Sequence, residues 1–268
     1  MAFSRNLASQ MLLGMSFVVT FFLEKAVAGG AIAHPAEKSA VIMGYLHPSP
    51  EKPMTFQPIS VARLSPPQTG AVAQAMSRAF FNDPMFTYIL PNEQARSEKM
   101  PRFFRAILAY GLRYGEVYTT NNADGGAIWL GPGKTEFTLG RMLRTGILWT
   151  VPLILGWDAL ERFKHLDTHE YKAHKQSISG NYWYLLALGV DPSRKGQGIG
   201  GKLMQPILAR ADDQGLPCFL ETLNEINLPI YAKYGFQVKV SGQVPQGGPT
   251  YWTMLRPPRP SLEPAAQG

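Results

Sequence analysis

Hydrophobic positions between residues 59 and 130 switch between the two periods of regular structure. A period of two indicates a half-buried strand, and a period near 3.6 indicates an amphipathic helix. These periods predict a strand at 59–64, a helix from Pro66 to about Asp83, a longer helix at 93–114, and strands at 116–120 and 126–130. Asp124-Gly125 is a strong turn signal, so we expect the last two strands to form a hairpin.

The last third of the chain predicts strands and helices around one glycine-rich loop. An apolar run at 182–190 has the length of a strand and is typical of one covered on both faces. The elements expected after it are a helix at 201–214, a strand at 218–223, a short helix at 228–234 and a strand pair between 235 and 255. Pro206 lies inside the first of these helices and predicts a kink there or a later start.

Residues 134–179 follow no single regular pattern. The part at 139–157 is rich in large apolar residues but is interrupted by Pro152, so it predicts packed helices rather than a membrane span. Two interpretations stay open for this segment: a buried helical insertion, or a lid over a substrate pocket.

The first 55 residues lack a globular pattern. Residues 11–23 form an apolar run, but a membrane-spanning helix needs about 20 residues. The run either resembles a signal or transit segment or lies upstream of the true start. We therefore expect a leader and linker at 1–55, one domain at 56–257 with its insertion at 134–179, and a disordered tail at 258–268.

The composition is that of a globular protein that can bury a large core. The chain has 268 residues, of which 45% are hydrophobic and 17% are charged, so wholesale disorder and a coiled coil are excluded. The net charge of +7 suits an anionic ligand but is too diffuse to indicate nucleic acid. Cys218 is the only cysteine, which excludes an intramolecular disulfide, and the five histidines lack metal-ligand spacing.

Residues 190–202 combine the end of a buried strand, a basic glycine loop and the start of a helix. Glycines allow close approach of the backbone and a helix N-terminus adds positive potential, so the stretch predicts a phosphate-binding loop. The spacing from Gly196 to Lys202 fits a Walker A loop, but Leu203 stands where a Mg²⁺-binding Ser or Thr is needed. A dinucleotide-binding fingerprint also starts at Gly196, but too little chain follows for a second mononucleotide half. A purely structural glycine turn is a further alternative.

Two motifs in this region resemble the GNAT superfamily of N-acetyltransferases. They are the Gly-Val-Asp-Pro turn with the glycine loop (189–201) and the Asn-Leu-Pro-Ile-Tyr-Ala-Lys-Tyr-Gly-Phe segment (227–236). The sequence Phe-Leu-Glu-Thr at 219–222 is similar to the puromycin N-acetyltransferase-like branch. The resemblance implies an α/β (α+β) GNAT fold with a mixed, mostly antiparallel sheet flanked by helices and splayed between the strands at 182–190 and 218–223. Lys195 departs from the Gln or Arg that is usual in the superfamily.

The resemblance also implies that the chain binds acetyl-CoA as a co-substrate. Loop amides would hold the diphosphate, and the splayed strand would pair with the pantetheine arm and the thioester oxygen. Gly189 favours a bulge in that strand. The implied cofactor-binding residues are Leu188, Gly189, Val190, Lys195, Gly196, Gln197, Gly198, Ile199, Gly200, Gly201 and Asn227.

Two residues are candidates for catalysis. By resemblance, Tyr231 is the general acid, because a phenol with a pKa of about 10 can protonate a departing thiolate of similar basicity. Glu221 ends a strand near the expected splay. It accepts the amine proton, binds a cationic acceptor, or is simply a solvated charge at the end of a strand.

The acceptor pocket is expected between the first helices and the insertion, with Asp83, Tyr88 and Trp149 as candidate substrate residues. Asp83 can hold an ammonium group, although Asn-Asp-Pro also ends helices. We therefore predict an acyltransferase of the GNAT type that transfers acetyl from acetyl-CoA to a primary amine of a small molecule, by direct attack in a ternary complex. The alternative is a non-catalytic acyl-CoA-binding protein.

The expected partners and location follow from the donor. Acetyl-CoA is an intracellular metabolite, so we expect a cytoplasmic protein, or one targeted to an organelle or a membrane through its apolar N-terminus. No nucleic-acid partner, metal ion or stable membrane span is expected, and the sequence leaves the oligomeric state open.

Overall fold

Seven strands form one sheet in the computed structural model of the chain, which describes residues 58–259. The strands are β1 (Val61–Arg63), β2 (Gly115–Thr120), β3 (Gly125–Leu130), β4 (Trp183–Val190), β5 (Cys218–Thr222), β6 (Gln237–Gln243) and β7 (Thr250–Arg256). Their order across the sheet is β1-β2-β3-β4-β5-β7-β6. Neighbours are antiparallel except β4 and β5, which are parallel. The predicted mixed, mostly antiparallel sheet is confirmed.

Eight α-helices flank this sheet within residues 58–259. They are α1 (Thr69–Ala79), α2 (Pro84–Ile89), α3 (Glu93–Tyr114), α4 (Leu139–Thr145), α5 (Ile147–Leu155), α6 (Trp157–Ser177), α7 (Ile199–Asp213) and α8 (Leu228–Ala232). No helix in this part of the chain is long and apolar enough to cross a membrane. The predicted leader and linker at 1–55, and the predicted tail from residue 260 on, lie outside the described residues.

Alternation along the strands sends side chains into two cores, one on each face of the sheet. On β3, Ile128 packs into the core under α1, α2 and α3, whereas Ala127 and Trp129 pack into the core under α7. Helix α6 packs against α2, β6 and β7. The Ser177 hydroxyl at its end lies 2.6 Å from the hydroxyl of Thr253 on β7. The insertion therefore supplies part of the cover of the sheet.

Two helix boundaries refine the expectations. Helix α7 does not start late but begins at Ile199, after Gly198 in a left-handed conformation (φ +69°), and it continues through Pro206. Asp83-Pro84 begins a helix rather than only ending one. The Asp83 carboxylate accepts a hydrogen bond from the Met85 amide at 3.0 Å, and Pro84 occupies the first helical position, where its missing N–H costs nothing.

A buried ion pair joins the last strand to α7. The Arg256 side chain is 3% exposed and donates two hydrogen bonds, of 2.8 and 2.6 Å, to the Asp212 carboxylate. The Asp212 carboxylate also accepts a bond of 2.7 Å from the Arg259 amide. This pair ties the sheet to the helix that follows the glycine loop.

Asp212→Ala leaves the buried guanidinium of Arg256 without its partner, so we expect the free energy of unfolding to fall by about 3 kcal/mol. The control is Glu136→Ala, which breaks a 2.9 Å pair with Lys175 between side chains that are 62% and 50% exposed. That control should cost less than about 1 kcal/mol. Equal losses in urea denaturation would contradict the assignment of a stabilising role to the buried pair.

Candidate active site

β4 and β5 pair over three residues and then diverge. Their pairing runs from Trp183–Cys218 to Leu185–Leu220, whereas β4 continues to Val190. The edge of β4 that faces β5 therefore has no strand partner beyond Leu185. The predicted splay is confirmed, and it leaves backbone donors and acceptors with which an extended ligand can pair.

The bulge of β4 lies at a different residue from the one expected. The register between β3 and β4 shifts between Ile128 and Trp129, which leaves Leu186 as the extra residue, immediately after the last pair with β5. The expectation of a bulge at Gly189 is wrong, because Gly189 pairs in register with Gly126. A Cβ on Gly189 would lie 2.8 Å from a ring carbon of Phe80, so glycine is required there by the close approach of the end of α1.

The glycine loop presents a run of unpaired backbone amides. The N–H groups of Lys195 and Lys202 donate to backbone carbonyls, but those of residues 196–201 donate to no backbone group in the described part of the chain. Gly196 (φ +84°) and Gly198 (φ +69°) occupy the left-handed region, which other residues rarely adopt. Amides at a helix N-terminus with this freedom form an anion-binding site.

Asp191 fixes the start of this loop. Its carboxylate accepts hydrogen bonds from the hydroxyl (2.7 Å) and amide (3.0 Å) of Ser193 and from the guanidinium of Arg78 on α1 (2.7 Å). Burial opposes the charged form of Asp191, but these bonds outweigh it and lower the pKa of the carboxyl. The loop is thus held to α1 by a carboxylate that stays ionised.

Gly201 has a packing role that the sequence motif does not reveal. A Cβ at this position would lie 1.7 Å from the hydroxyl oxygen of Tyr234, so only glycine allows that ring to lie against the first turn of α7. Tyr234 comes from the second motif of the sequence. The contact therefore explains why a glycine stands at this point of the helix.

Tyr231 is a mostly buried phenol whose hydroxyl has no hydrogen-bonding partner among residues 58–259. It lies on α8, is 8% exposed and packs against Phe236 with ring centroids 5.9 Å apart. No hydrogen bond between residues of the described part reaches its hydroxyl. Burial, and then the charge of Asp83, raise the pKa of this phenol, so it stays protonated over the physiological range. It is therefore able to donate a proton.

Glu221 is held in a chain of hydrogen bonds. Its Oε2 accepts from the Tyr184 hydroxyl at 2.6 Å, and its Oε1 lies 3.0 Å from Nδ1 of His174 on α6. The other ring nitrogen of His174 lies 2.7 Å from the Tyr182 hydroxyl. With Nδ1 protonated, Tyr182 donates to His174 and His174 donates to Glu221. Such a chain orients the carboxylate and provides a path for a proton.

Three further carboxylates belong to this region: Asp167 and Glu170 interact with the charge of Glu221, and Asp83 interacts with Glu170. Glu170 and Asp167 lie one and two turns before His174 on α6, and Asp83 caps α2. Burial raises the pKa of Asp83 to about 6. Burial and the charge of Glu221 raise the pKa of Asp167 to about 6. Burial and the charges of Glu221, Asp167 and Asp83 raise the pKa of Glu170 well above its usual range.

This group of carboxylates is partly open to water. Although protein surrounds Asp167, its side chain is exposed on one side, and Glu170, Asp83 and Glu221 are partly exposed. Within residues 58–259, no three His, Cys, Asp or Glu residues are positioned to hold a metal ion. A ligand in solution can therefore reach these carboxylates.

The remaining candidate residues lie on three different parts of the fold. The Asn227 amide donates to the Thr222 hydroxyl at 3.1 Å, beside the end of β5. The Tyr88 hydroxyl lies 3.1 Å from Nδ1 of His165, so it joins α2 to α6. Trp149 lies on α5 and is 44% exposed. Among the candidates, the charge of Asp83 acts on Tyr231, and the charges of Asp83 and Glu221 both act on Glu170.

Sequence reasoning missed His174, Tyr184, Asp167 and Glu170. The spacing of Asp167, Glu170 and His174 puts them on one side of a helix, and this was the only available signal. It identifies a polar stripe but not what the stripe faces. Tyr184 gave no signal, since it lies inside an apolar run.

Comparisons with known proteins agree with this geometry. A family model described as the acetyltransferase (GNAT) family matches residues 161–236, which include most of α6, the glycine loop and α8. A curated relative, an uncharacterized N-acetyltransferase of Schizosaccharomyces pombe, is 31% identical over 170 residues, which cover 61% of this chain and 68% of the relative. A crystal structure titled histone acetyltransferase HPA2 and related acetyltransferase, from Corynebacterium glutamicum, aligns with a TM-score of 0.54 at 20% identity, covering 76% of this chain and 99% of that one. The structural likeness supports the fold alone.

Asp167→Asn is expected to stabilise the ligand-free protein near neutral pH. The folded-state pKa of about 6 exceeds the usual 3.8, so the folded protein binds more protons between these values and loses stability as pH rises through that window. Water reaches this side chain, so we expect a gain of about 1 kcal/mol, or about 2–4 °C in Tm, at pH 7.5. The gain should vanish near pH 4, as measured by thermal unfolding across pH.

The matched control for this measurement is Asp158→Asn, which removes an exposed carboxylate from the first turn of the same helix. We expect no gain from it, since a carboxylate near a helix N-terminus is stabilising. An equal gain in stability in both variants would show that the change in net charge, rather than the surroundings of Asp167, causes the gain.

Proposed function

We propose that this chain, which belongs to the GNAT acetyltransferase family, transfers the acetyl group of acetyl-CoA to a primary amine of a small molecule by direct attack in a ternary complex. The observation that carries the proposal is the run of unpaired amides at 196–201, next to the unpaired edge of β4. Glu221 follows the last residue of β5 that pairs with β4, and Tyr231 is a protonated phenol, so the two supply the chemistry that acyl transfer to an amine needs.

The residues at the opening suit the two ends of acetyl-CoA. Amides 196–201, with the N-terminus of α7, favour a diphosphate, and the exposed Lys195 and Lys202 add positive charge. Leu188, Gly189 and Val190 lie on the edge of β4 that an extended pantetheine arm can join as a strand. Acetyl-CoA supplies the activated acyl group as a thioester, so the protein must add positioning and proton transfer.

Glu221 is the proposed general base. When the amine nitrogen forms its bond to the carbonyl carbon, the surplus proton on nitrogen passes to Glu221, directly or through water. His174 and Tyr184 hold both carboxylate oxygens at 3.0 and 2.6 Å, so the base is oriented before the acceptor arrives.

Tyr231 is the proposed general acid. As the carbon–sulfur bond breaks, its hydroxyl gives a proton to the departing sulfur, which then leaves as the free thiol. The burial that raises the pKa of this phenol keeps the proton on the oxygen until a strong base forms beside it. Asn227 is proposed to contact the coenzyme arm at the end of β5, since its amide is already positioned there by Thr222.

Two finer assignments belong to the same proposal. The residues at 219–222 and 227–236 support the puromycin N-acetyltransferase-like branch. An intracellular donor supports a cytoplasmic location. Asp83, Tyr88 and Trp149 remain the proposed acceptor residues, and Asp83 has the strongest support because its charge acts on Tyr231.

Tyr231→Phe should lower kcat by about 100-fold, because it removes the acid without changing the shape of the pocket. Acetyl-CoA affinity should change by less than about twofold. Thiol release with an amine panel measures kcat, and calorimetry measures the affinity for acetyl-CoA. The control is Tyr110→Phe, a fully buried tyrosine of α3 that stacks on Phe137 at 4.4 Å, and it should leave both unchanged. Equal loss of turnover and affinity would contradict the acid role.

Glu221→Gln should lower kcat at pH 7 by about 100-fold, because the amine then has to lose its proton to water. The rate of this variant should recover about tenfold per pH unit as the solution supplies more of the neutral amine. Glu225→Gln, which changes an exposed glutamate four residues away, is the matched control. A pH–rate profile parallel to that of the unmodified enzyme would contradict the base role.

A further inference from the structure

Four carboxylates meet beside the diverging strands of a protein with a net charge of +7. Asp83 comes from the start of α2, Asp167 and Glu170 from α6, and Glu221 from β5. Glu170 is central, since the charges of the other three all act on it. Like charges at close range oppose folding, so stability does not explain this arrangement.

Hydrogen bonds from α6 to β5 and from α6 to α2 fix the position of the four carboxylates. His174 of α6 contacts Glu221 at 3.0 Å, and His165 of α6 contacts Tyr88 of α2 at 3.1 Å. Glu170 lies one turn before His174, and Asp167 lies one turn before Glu170, so both lie along the side of α6 that faces the opening. The carboxylates are therefore built into a rigid contact between α2, α6 and β5.

The protein does not neutralise three of these charges. None of the ion pairs among residues 58–259 includes Asp83, Asp167 or Glu170. The guanidinium of Arg162, on the same helix, donates instead to the backbone carbonyl of Ile89 at 3.3 Å. The raised pKa values of these carboxyls show that the ligand-free protein disfavours their charged forms, so a cationic ligand that binds here would favour their ionisation.

Tyr231 independently indicates that a ligand enters here. It is more than nine-tenths buried, and its hydroxyl has no hydrogen-bonding partner in the described part of the chain. The enclosed side-chain atoms without a partner among residues 58–259 belong to Arg96, Trp129 and Arg194, so the Tyr231 hydroxyl keeps accessible surface at which water or a ligand can bond to it. Tyr231 packs in the core under α7, yet the charge of Asp83, which caps α2, acts on it. The phenol is therefore near enough to the carboxylates to feel their charge.

We propose that the acceptor carries two cationic groups: the reacting amine lies between Glu221 and Tyr231, while a second ammonium or guanidinium group is held by Asp83, Asp167 and Glu170. This inference rests on the proposed acetyl transfer and specifies its substrate class. A second cation relieves the repulsion within the group, whereas a neutral or anionic tail leaves the carboxylates unbalanced, so the same residues select for the dication and against its analogues.

Three acceptors of equal chain length share the reacting amine and differ only at the other end, so they isolate the effect of the second charge. They are putrescine, 4-amino-1-butanol and butylamine. We expect kcat/KM for putrescine to exceed that for either monoamine by about tenfold or more. If butylamine or the amino alcohol is acetylated as efficiently as putrescine, the second cation site is overturned, whereas the proposed acetyl transfer is not.

A double variant, Asp167→Asn with Glu170→Gln, tests the residues themselves. It keeps the shape of α6 and removes two charges, and the ratio of kcat/KM between putrescine and butylamine should fall by about tenfold. The matched control is Asp158→Asn with Glu161→Gln, which removes two exposed charges earlier on the same helix. The control should keep the ratio. An unchanged ratio in the first variant, or an equal fall in both, would overturn the proposal.

Calorimetric titration of putrescine into the protein with bound CoA distinguishes failure of this site from failure of the proposed function. Putrescine binding that is lost in the Asp167→Asn, Glu170→Gln variant supports the cation site even if no amine is acetylated, and that combination would overturn the transfer reaction. Absence of putrescine binding, together with acetylation of monoamines, would overturn the cation site alone.

Discussion

The parting of β4 from β5 is the constraint on which the rest of the site depends. Two parallel strands that pair only as far as Leu185 leave one edge of β4 without a partner, and the loop that follows carries the unpaired amides 196–201. Backbone polar groups that lack protein partners need water or a ligand. Strand edge and helix start thus supply two groups of free backbone donors and acceptors in the described part of the chain, and the segment between them is held by the Asp191–Arg78 contact.

The same opening connects two faces of the sheet that have different chemistry. Tyr231 belongs to the core under α7, on the side of the glycine loop. Glu221 faces α6, where His174 and Tyr184 hold its two oxygens. The proposed proton donor and proton acceptor therefore belong to opposite faces of the sheet. Burial keeps Tyr231 protonated, whereas two hydrogen bonds orient the carboxylate of Glu221.

Helix α6 carries charges that oppose its own position and contacts that maintain it. Leu166 is fully buried with Leu223 and Val244, and Ser177 bonds to Thr253 at the far end of the helix. These contacts hold the helix against the sheet although Asp167 and Glu170 face Glu221. Packing thus stabilises an electrostatic arrangement that is unfavourable without a ligand, which is the usual relation between a stable scaffold and a binding site.

The sequence by itself determined most strands and helices and the glycine loop, because periodicity, turns and glycines act on the backbone over a few neighbouring residues. Tyr231 became a candidate through the resemblance of its motif, and Glu221 through its place at the end of a strand near the expected splay. The helix Pro84–Ile89 was missed. Tertiary structure alone decided that His174 contacts Glu221, 47 residues away, and that Gly201 makes room for Tyr234. Those contacts depend on how α6 and α8 lie against the sheet. No local pattern encodes such a placement, since it results from the packing of the whole core.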